Sequence, residues 1–331
     1  MHRTSQSCQP PVILSGDVGG TKTLLALRSG EQLLAEKRYA SRDYGDLVEL
    51  VRDFFANVGL APQRAVFGVA GPVKAGCSKA TNLPWEISAE RLQKELAIPI
   101  VQLINDFAAV AHGLRALGPQ DLVPLNDTVP QPGGTVVVLG AGTGLGEGFL
   151  VSCDGKEIYV ASEGGHADFA PRNEQEIALL RYILRSRRRA SVERLVSGPG
   201  IVTIYNFLSE SSLKSSQATL PEHAATGDLP ALVTRHALAG DCALCVETME
   251  LFLRLYGAEA GNLALKALPT GGVYVAGGIA PKISDLLRNG TFLSAYGDKG
   301  RMSELVKSFP VQVVINPQVG LLGAHLVASR L

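Results

Sequence analysis

The chain has 331 residues, 46% of them hydrophobic, and its 31 Lys and Arg balance 31 Asp and Glu. That length suits roughly two domains of about 150 residues. Zero net charge argues against a nucleic-acid binder, whose footprint is normally basic overall or in one large patch, and no run of eighteen uncharged apolar residues is present to cross a membrane. Glycine stands out: 36 of 331 is about 11%, against roughly 7% in ordinary chains. These glycines lack a three-residue period and sit among Val, Ile and Leu, so they punctuate regular structure. Five cysteines, at 8, 77, 153, 242 and 245, make no disulfide framework. Met1 to Ser15 holds no apolar stretch of signal-peptide length. A reduced, cytoplasmic setting is expected, with no nucleic-acid or membrane partner.

In chain order, Pro11 to Gly16 reads as a buried strand, followed by Asp17-Val18-Gly19-Gly20-Thr21-Lys22 and a second strand, Thr23 to Arg28. Asp46 to Val58 has helical spacing, Ala65 to Val69 is a strand, and Ser88 to Leu96 is a helix with Ser88 as N-cap. Ile100 to Ile104 is a strand and Ala108 to Leu117 a helix, with a boundary near Gly118-Pro119. The pattern then restarts: Thr135 to Leu139, a glycine turn over Gly140 to Gly146, and a strand over Gly148 to Ser152. This weak repeat implies two related α/β units facing each other across a cleft. A helix is expected over Glu174 to Arg189 and a surface excursion from Ser209 to about Asp228. A long amphipathic helix follows over Val246 to Ala267, then a strand over Gly272 to Ala276 and a short helix over Gly320 to Leu331. The domain reading is 10–117 plus 320–331 for the smaller unit and 118–319 for the larger.

Three glycine clusters follow buried strands: Gly19-Gly20, Gly142/Gly144/Gly146 and Gly277-Gly278. Glycine lets backbone N–H groups converge into an anion-binding concavity, so phosphate is the natural ligand, although any one pair can be a plain turn. A Walker A loop is excluded because Lys22 precedes a strand. A dinucleotide fingerprint would need glycine at 145, 147 or 149, where Leu145, Glu147 and Phe149 stand.

Asn105-Asp106 falls between a strand and a helix, where it either lines a ligand crevice or caps the helix. In Glu163-Gly164-Gly165-His166, the glycines let the backbone approach a ligand flanked by a carboxylate and an imidazole. Glu193, two residues beyond a candidate N-cap Ser191, either joins such a site or complements a helix dipole.

Gly16 to Lys22, Leu103 to Phe107, Gly142 to Gly146, Ser162 to Phe169, Ser191 to Arg194 with Ser197 to Gly200, and Ala276 to Ile279 occur in the order found in bacterial glucokinases. The chain resembles that family from about Ile13 to its C-terminus. The resemblance implies an α/β, actin-like ATPase (ribonuclease-H-like) duplicated fold, two domains with an inter-domain cleft that close over ATP and glucose. The Cys-rich zinc motif of the related ROK sugar kinases is missing, which points to the zinc-free branch. By the same resemblance, Asp106 is the catalytic base for the sugar 6-hydroxyl. Asn105, Glu163, His166 and Glu193 hydrogen-bond the other hydroxyls. Asp17, Val18, Gly19, Gly20, Thr21 and Lys22 surround the β- and γ-phosphates with Mg2+, Gly142-Thr143-Gly144 meets the phosphates, and Gly277-Gly278 packs on the adenosine. The metal is expected to travel with ATP, not in a protein cage. A homodimer is expected.

Other signals are read blandly. Cys242 and Cys245 form one helix turn, the Arg185, Arg187, Arg188 and Arg189 run is a solvated helix end, and Trp85, after Thr81-Asn82, is either near the sugar or plain core. The rivals are a kinase for another hexose or amino sugar, and a sugar-responsive regulator. With only about eleven residues before the first strand, no DNA-binding module is expected.

Overall fold

A computed structural model describes residues 10–79, 83–211 and 228–331. The chain divides into two units, one running to Leu117 and completed by Gln318–Leu331, the other Gly118–Pro317. The first begins with β1 (Val12–Val18), β2 (Lys22–Ser29) and β3 (Gln32–Ala40), then α1 (Leu47–Val58) and β4 (Arg64–Val69). Three short strands follow, β5 (Val73–Lys74), β6 (Cys77–Lys79) and β7 (Glu86–Ser88), before α2 (Ala89–Leu96), β8 (Ile100–Asn105) and α3 (Asp106–Gly113). The sheet runs β3-β2-β1-β4-β8, antiparallel as far as β1 and parallel beyond it. β1 is buried at Ile13, Leu14, Ser15, Gly16 and Val18, the near-continuous burial of a central strand covered on both faces.

Local chemistry sets the helix ends. Asp46 Oδ1 accepts the Glu49 N–H at 2.8 Å to start α1, and Gly59 ends it at φ 68°. Ser88 Oγ accepts the Arg91 N–H at 3.3 Å, so Ser88 is the N-cap of α2 as its sequence position implies.

The second unit holds β9 (Leu122–Pro124), β10 (Val136–Ala141), β11 (Leu145–Cys153), β12 (Lys156–Ser162), α4 (Glu174–Leu184), α5 (Gly198–Ser211), α6 (Leu229–Ala239) and α7 (Ala243–Ala267). β13 (Gly272–Ala276), α8 (Ser284–Leu287), α9 (Thr291–Gly297), α10 (Ser303–Lys307) and β14 (Val311–Val314) complete it. Its sheet order, β12-β11-β10-β13-β14-β9, repeats the first unit's succession of two antiparallel pairings followed by two parallel ones, with β9 added at the far edge. The internal repeat is therefore a repeat of topology.

α11 (Val319–Ser329) returns to the first unit and packs against α3. A Cβ at Gly113 would overlap the Val319 carbonyl oxygen, and one at Gly323 the Ala109 carbonyl oxygen. These two glycines bring the helix backbones into contact and so set how closely α3 and α11 pack.

Several boundaries differ from expectation. β10 continues to Ala141 and β11 starts at Leu145, leaving Gly142-Thr143-Gly144 as the turn in place of Gly140 to Gly146. The Gly140–Gly146 pair lies inside the antiparallel ladder. α3 begins at Asp106, ahead of the expected Ala108, because Asn105 caps it. α4 stops at Leu184, and the arginines beyond it leave the helix: Arg185 pairs with Glu210 at 3.3 Å and Arg189 with Asp168 at 2.6 Å. α7 starts at Ala243, earlier than Val246, and is buried along most of its length, where an amphipathic helix was expected. Cys242 Sγ accepts the Cys245 N–H at 3.3 Å, and both thiols are buried at that helix start. Trp85 is core, 1% exposed, with its indole N–H donating to the Tyr44 carbonyl. Thr81, Asn82 and most of the Ser209 to Asp228 stretch lie outside the described residues.

Candidate active site

In the first unit, parallel pairing of β1, β4 and β8 brings their C-terminal ends to one edge, with Asp17, Gly68 and Ile104 in register. Such edges are where open α/β sheets take ligands. The β1–β2 turn projects beyond it: the Gly19 N–H donates to the Lys22 carbonyl at 3.0 Å. Buried Ser41 ties this turn down, its Oγ donating to the Gly19 carbonyl at 2.8 Å and its N–H to the Thr21 carbonyl at 3.0 Å. Thr21 and Lys22 are exposed, whereas the Val18 side chain is buried, so only its backbone faces a ligand.

Asn105 caps the helix, one of the two roles its position allowed. Its Oδ1 accepts the N–H groups of Phe107 at 2.9 Å and Ala108 at 3.2 Å, and its Nδ2 donates to the Gly71 carbonyl at 3.1 Å. Capping locks Asn105 in place and leaves Asp106, half-buried, as the first helical residue, with its Oδ1 accepting the Phe107 N–H at 2.9 Å. A Cβ at Gly68 would lie 3.0 Å from that of Ala109, so glycine lets α3 close onto the sheet. Asp17 and Asp106 thus come into electrostatic contact. Burial first, and the Asp106 charge second, push the Asp17 carboxyl up to about 6.

In the second unit, Gly142, Thr143 and Gly278 line a cavity of about 610 Å3, with Pro199 from α5, Pro230, Thr234 and Leu238 from α6, and Ile279 and Lys282 beyond β13. This volume suits a nucleotide-sized ligand, and the mixed apolar and polar lining suits a flat base with charged groups attached. Gly277 does not line it. At φ 82°, with a Cβ that would lie 2.6 Å from the Ala141 carbonyl oxygen, Gly277 makes the turn that presents Gly278. The α6 residues escape sequence reading because nothing distinguishes them from an ordinary amphipathic helix.

Glu163, His166 and Glu193 come together in the same unit. Gly164–His166 forms a single 3-10 turn, with His166 Nε2 3.8 Å from Glu163 Oε2 and Nδ1 3.8 Å from Glu193 Oε1. The Glu163 side chain is 79% exposed, so its carboxylate is free to take a ligand. Glu193 does not act through a helix dipole. It lies in the 3-10 turn Val192–Arg194, Ser191 makes no side-chain cap, and Glu193 Oε2 accepts the Leu145 N–H at 3.0 Å. The same oxygen abuts Gly144, where a Cβ would collide with it. One carboxylate thus joins the Glu163 and His166 cluster to the glycine turn that lines the cavity of about 610 Å3.

A duplicated ribonuclease-H-like topology, a glycine turn at the corresponding hairpin of each copy, and polar groups suited to a polyhydroxyl acceptor define an ATP-dependent sugar kinase of the actin-like superfamily. The model of the glucokinase family, described as "Glucokinase", matches residues 14–331. Glucokinase from Nostoc sp. strain PCC 7120 is 46% identical over 97% of this chain and 99% of its own, and that of Yersinia pestis strain Pestoides F is 38% identical over 94% of each. Among solved structures, a glucokinase from an Antarctic psychrotroph superposes with a TM-score of 0.84 at 29% identity, covering 98% of this chain and all of its own. A Balamuthia mandrillaris glucokinase in complex with glucose shares the fold at 0.83 and 21% identity, covering 98% and 95%. The chain belongs to the glucokinase family.

Proposed function

We propose that the chain transfers the γ-phosphoryl group of ATP to the 6-hydroxyl of D-glucose, giving glucose 6-phosphate and ADP, with Asp106 as catalytic base. The observation that carries this assignment is the pinned Asn105-Asp106 step, which fixes a carboxylate at a sheet edge beside a phosphate-type turn. A carboxylate is a weak base. Phosphoryl transfer passes through a loose transition state, however, so the hydroxyl proton leaves late and positioning outweighs basicity. Asn105, Glu163, His166 and Glu193 hydrogen-bond the remaining hydroxyls. A site with a partner for each hydroxyl rejects analogues that leave those partners unpaired, by up to roughly 10⁴-fold.

The nucleotide is assigned to the glycine turns: Asp17, Val18, Gly19, Gly20, Thr21 and Lys22 around the terminal phosphates, Gly142-Thr143-Gly144 also on phosphate, and Gly277-Gly278 toward the adenosine. Mg2+ would neutralise phosphate charge as it develops. The residues fit it: a raised carboxyl at Asp17 beside Asp106 is a pair short of a cation, while no group of three or more His, Cys, Asp or Glu among the described residues makes a cage. Asp17 would therefore hold the metal with help from the phosphates and water.

The same reading has the enzyme working in the cytoplasm, at the first step of glycolysis, as a homodimer; exposed Val151, Ile158 and Val160 on β11 and β12 offer apolar surface for a second copy. Sedimentation velocity tests that state. For the activity, a coupled assay with glucose, mannose, fructose and glucosamine should show ADP release dependent on sugar and fastest with glucose. Sugar-independent ADP release would overturn the kinase reading, and a faster second sugar would reassign the acceptor.

A further inference from the structure

Beneath the Glu163 to His166 turn lies an acid that the proposed mechanism does not use. Glu147, in the middle of β11, is 1% exposed, and neither of its carboxyl oxygens has a hydrogen-bond partner among the described residues. A Cβ at Gly164 would overlap Glu147 Oε2, so the carboxyl group lies directly against the Gly164 backbone. Gly165 is seated in the same way on the Leu145 carbonyl, two residues earlier on the strand, while the Gly164 N–H donates to Ser162 Oγ at 2.9 Å. The two glycines between Glu163 and His166 therefore pack onto β11, and Glu147 is the side chain on which Gly164 rests.

We propose that Glu147 is a positioning residue for the sugar acceptor: its buried carboxyl group, packed under Gly164, fixes the turn that presents Glu163 and His166. This rests on the reading that those two residues bind the sugar. A buried carboxyl with no donor nearby is stable only when protonated. Burial and then the like charge of Glu259 push Glu147 up to about 8, with Lys266 opposing. The groups around it are Tyr256, Glu259 and Lys266 from α7, Ser162 from β12, and the solvent-facing Glu163 and His166 of the turn itself. Glu259 is itself raised by burial, and its carboxylate accepts from Asn262 Nδ2. Ionising Glu147 would put an unpaired anion under the turn, where no protein donor meets it, and the turn would have to move for water to reach the charge.

The expected signature is a rise in KM for glucose on the alkaline side. If only the protonated form holds the turn, apparent KM scales as one plus the ratio of ionised to protonated Glu147, a rise of about tenfold from pH 7 to pH 9 for a group titrating near 8. KM for glucose and kcat are measured across that range at saturating ATP and Mg2+. The native enzyme should show the rise in KM with a smaller change in kcat. Glu147→Gln, which keeps the shape but cannot ionise, should hold KM within about twofold over the range. A native KM that stays flat, or a Gln variant that follows the native curve, would overturn the assignment. Packing supplies a second arm: Gly164→Ala should raise KM, and Glu147→Ala in the same chain should bring it back down. A double variant no better than Gly164→Ala counts against Glu147. A Glu163→Ala, His166→Ala double variant separates the two readings, since an unchanged KM there removes the turn from sugar binding whatever Glu147 does.

Discussion

Asp17→Asn should make the protein more stable and less active. In the ligand-free chain the Asp17 carboxyl is raised to about 6 by burial and by Asp106, against about 3.8 for an ordinary aspartate. The folded state therefore keeps a proton that the unfolded chain has already released between roughly pH 4 and pH 6. Where the native state binds more protons, stability falls as pH rises. The whole penalty is present above about pH 6 and vanishes below about pH 4. A shift of about two units at about 1.36 kcal/mol each amounts to nearly 3 kcal/mol at neutral pH, an upper figure because Asp17 is half-buried. Asparagine has the same shape and never ionises, so it avoids the penalty. Scanning calorimetry without nucleotide should show the unfolding transition of the variant several degrees above that of the native chain at pH 7.5, converging with it near pH 4. Comparing variant with native protein at each pH cancels the titrating groups that do not interact with Asp17, and leaves the Asp17–Asp106 pair as the difference. A variant that is less stable at pH 7.5, or a gain that does not shrink on acidification, would refute the reasoning. Phosphotransfer by the variant should be lost in the same preparation, since the carboxylate assigned to the metal is gone.

Three further outcomes follow from the geometry. Asp106→Ala should lower kcat by two to four decades, the usual worth of a general base, while calorimetry still detects glucose binding; a native kcat would remove Asp106 from the mechanism. Glu193→Ala should raise KM for glucose roughly ten- to hundredfold, as expected for a lost hydrogen bond to a charged group. It should also weaken ATP, because the Leu145 N–H loses its acceptor and the phosphate turn its anchor; unchanged ATP affinity would refute that anchoring. Gly323→Ala drives a methyl group into the Ala109 carbonyl and should cost about 1–3 kcal/mol, read as a lowered melting temperature, with no change meaning that α3 and α11 are less tightly apposed.

What was legible in the sequence was whatever is buried or capped. β1, β4, β10 and β13 announce themselves because central strands are apolar on both faces. The α2 N-cap is readable because it needs a hydroxyl at one position. Gln32–Ala40 and Lys156–Ser162 gave no such signal: they are edge strands, mostly exposed, held by ladder hydrogen bonds that any backbone can make. The arginines after Leu184 continued a helical-looking composition, yet two of them are drawn to Glu210 and Asp168, contacts made across long stretches of chain. At the site, motif order carried Asp106, Glu163, His166 and Glu193. Ser41 stayed hidden because a lone serine 22 residues from Gly19 is indistinguishable from any other until the fold brings them together. Glu147 was legible only as a residue excluding a dinucleotide fingerprint.

The shared topology of the two units has a consequence at one position. Counting back from the last paired residues of each hairpin, Val18 with Thr23 and Ala141 with Leu145, the place held by Asp17 in one copy is held by Gly140 in the other. The copies have kept the scaffold and divided the charge. An aspartate at both places would give each hairpin a carboxylate at the start of its glycine turn. With the acid confined to one hairpin, the proposed assignment gives only that turn a side chain for a metal and leaves the other to meet phosphate through neutral backbone N–H donors, so one scaffold would serve two kinds of phosphate contact.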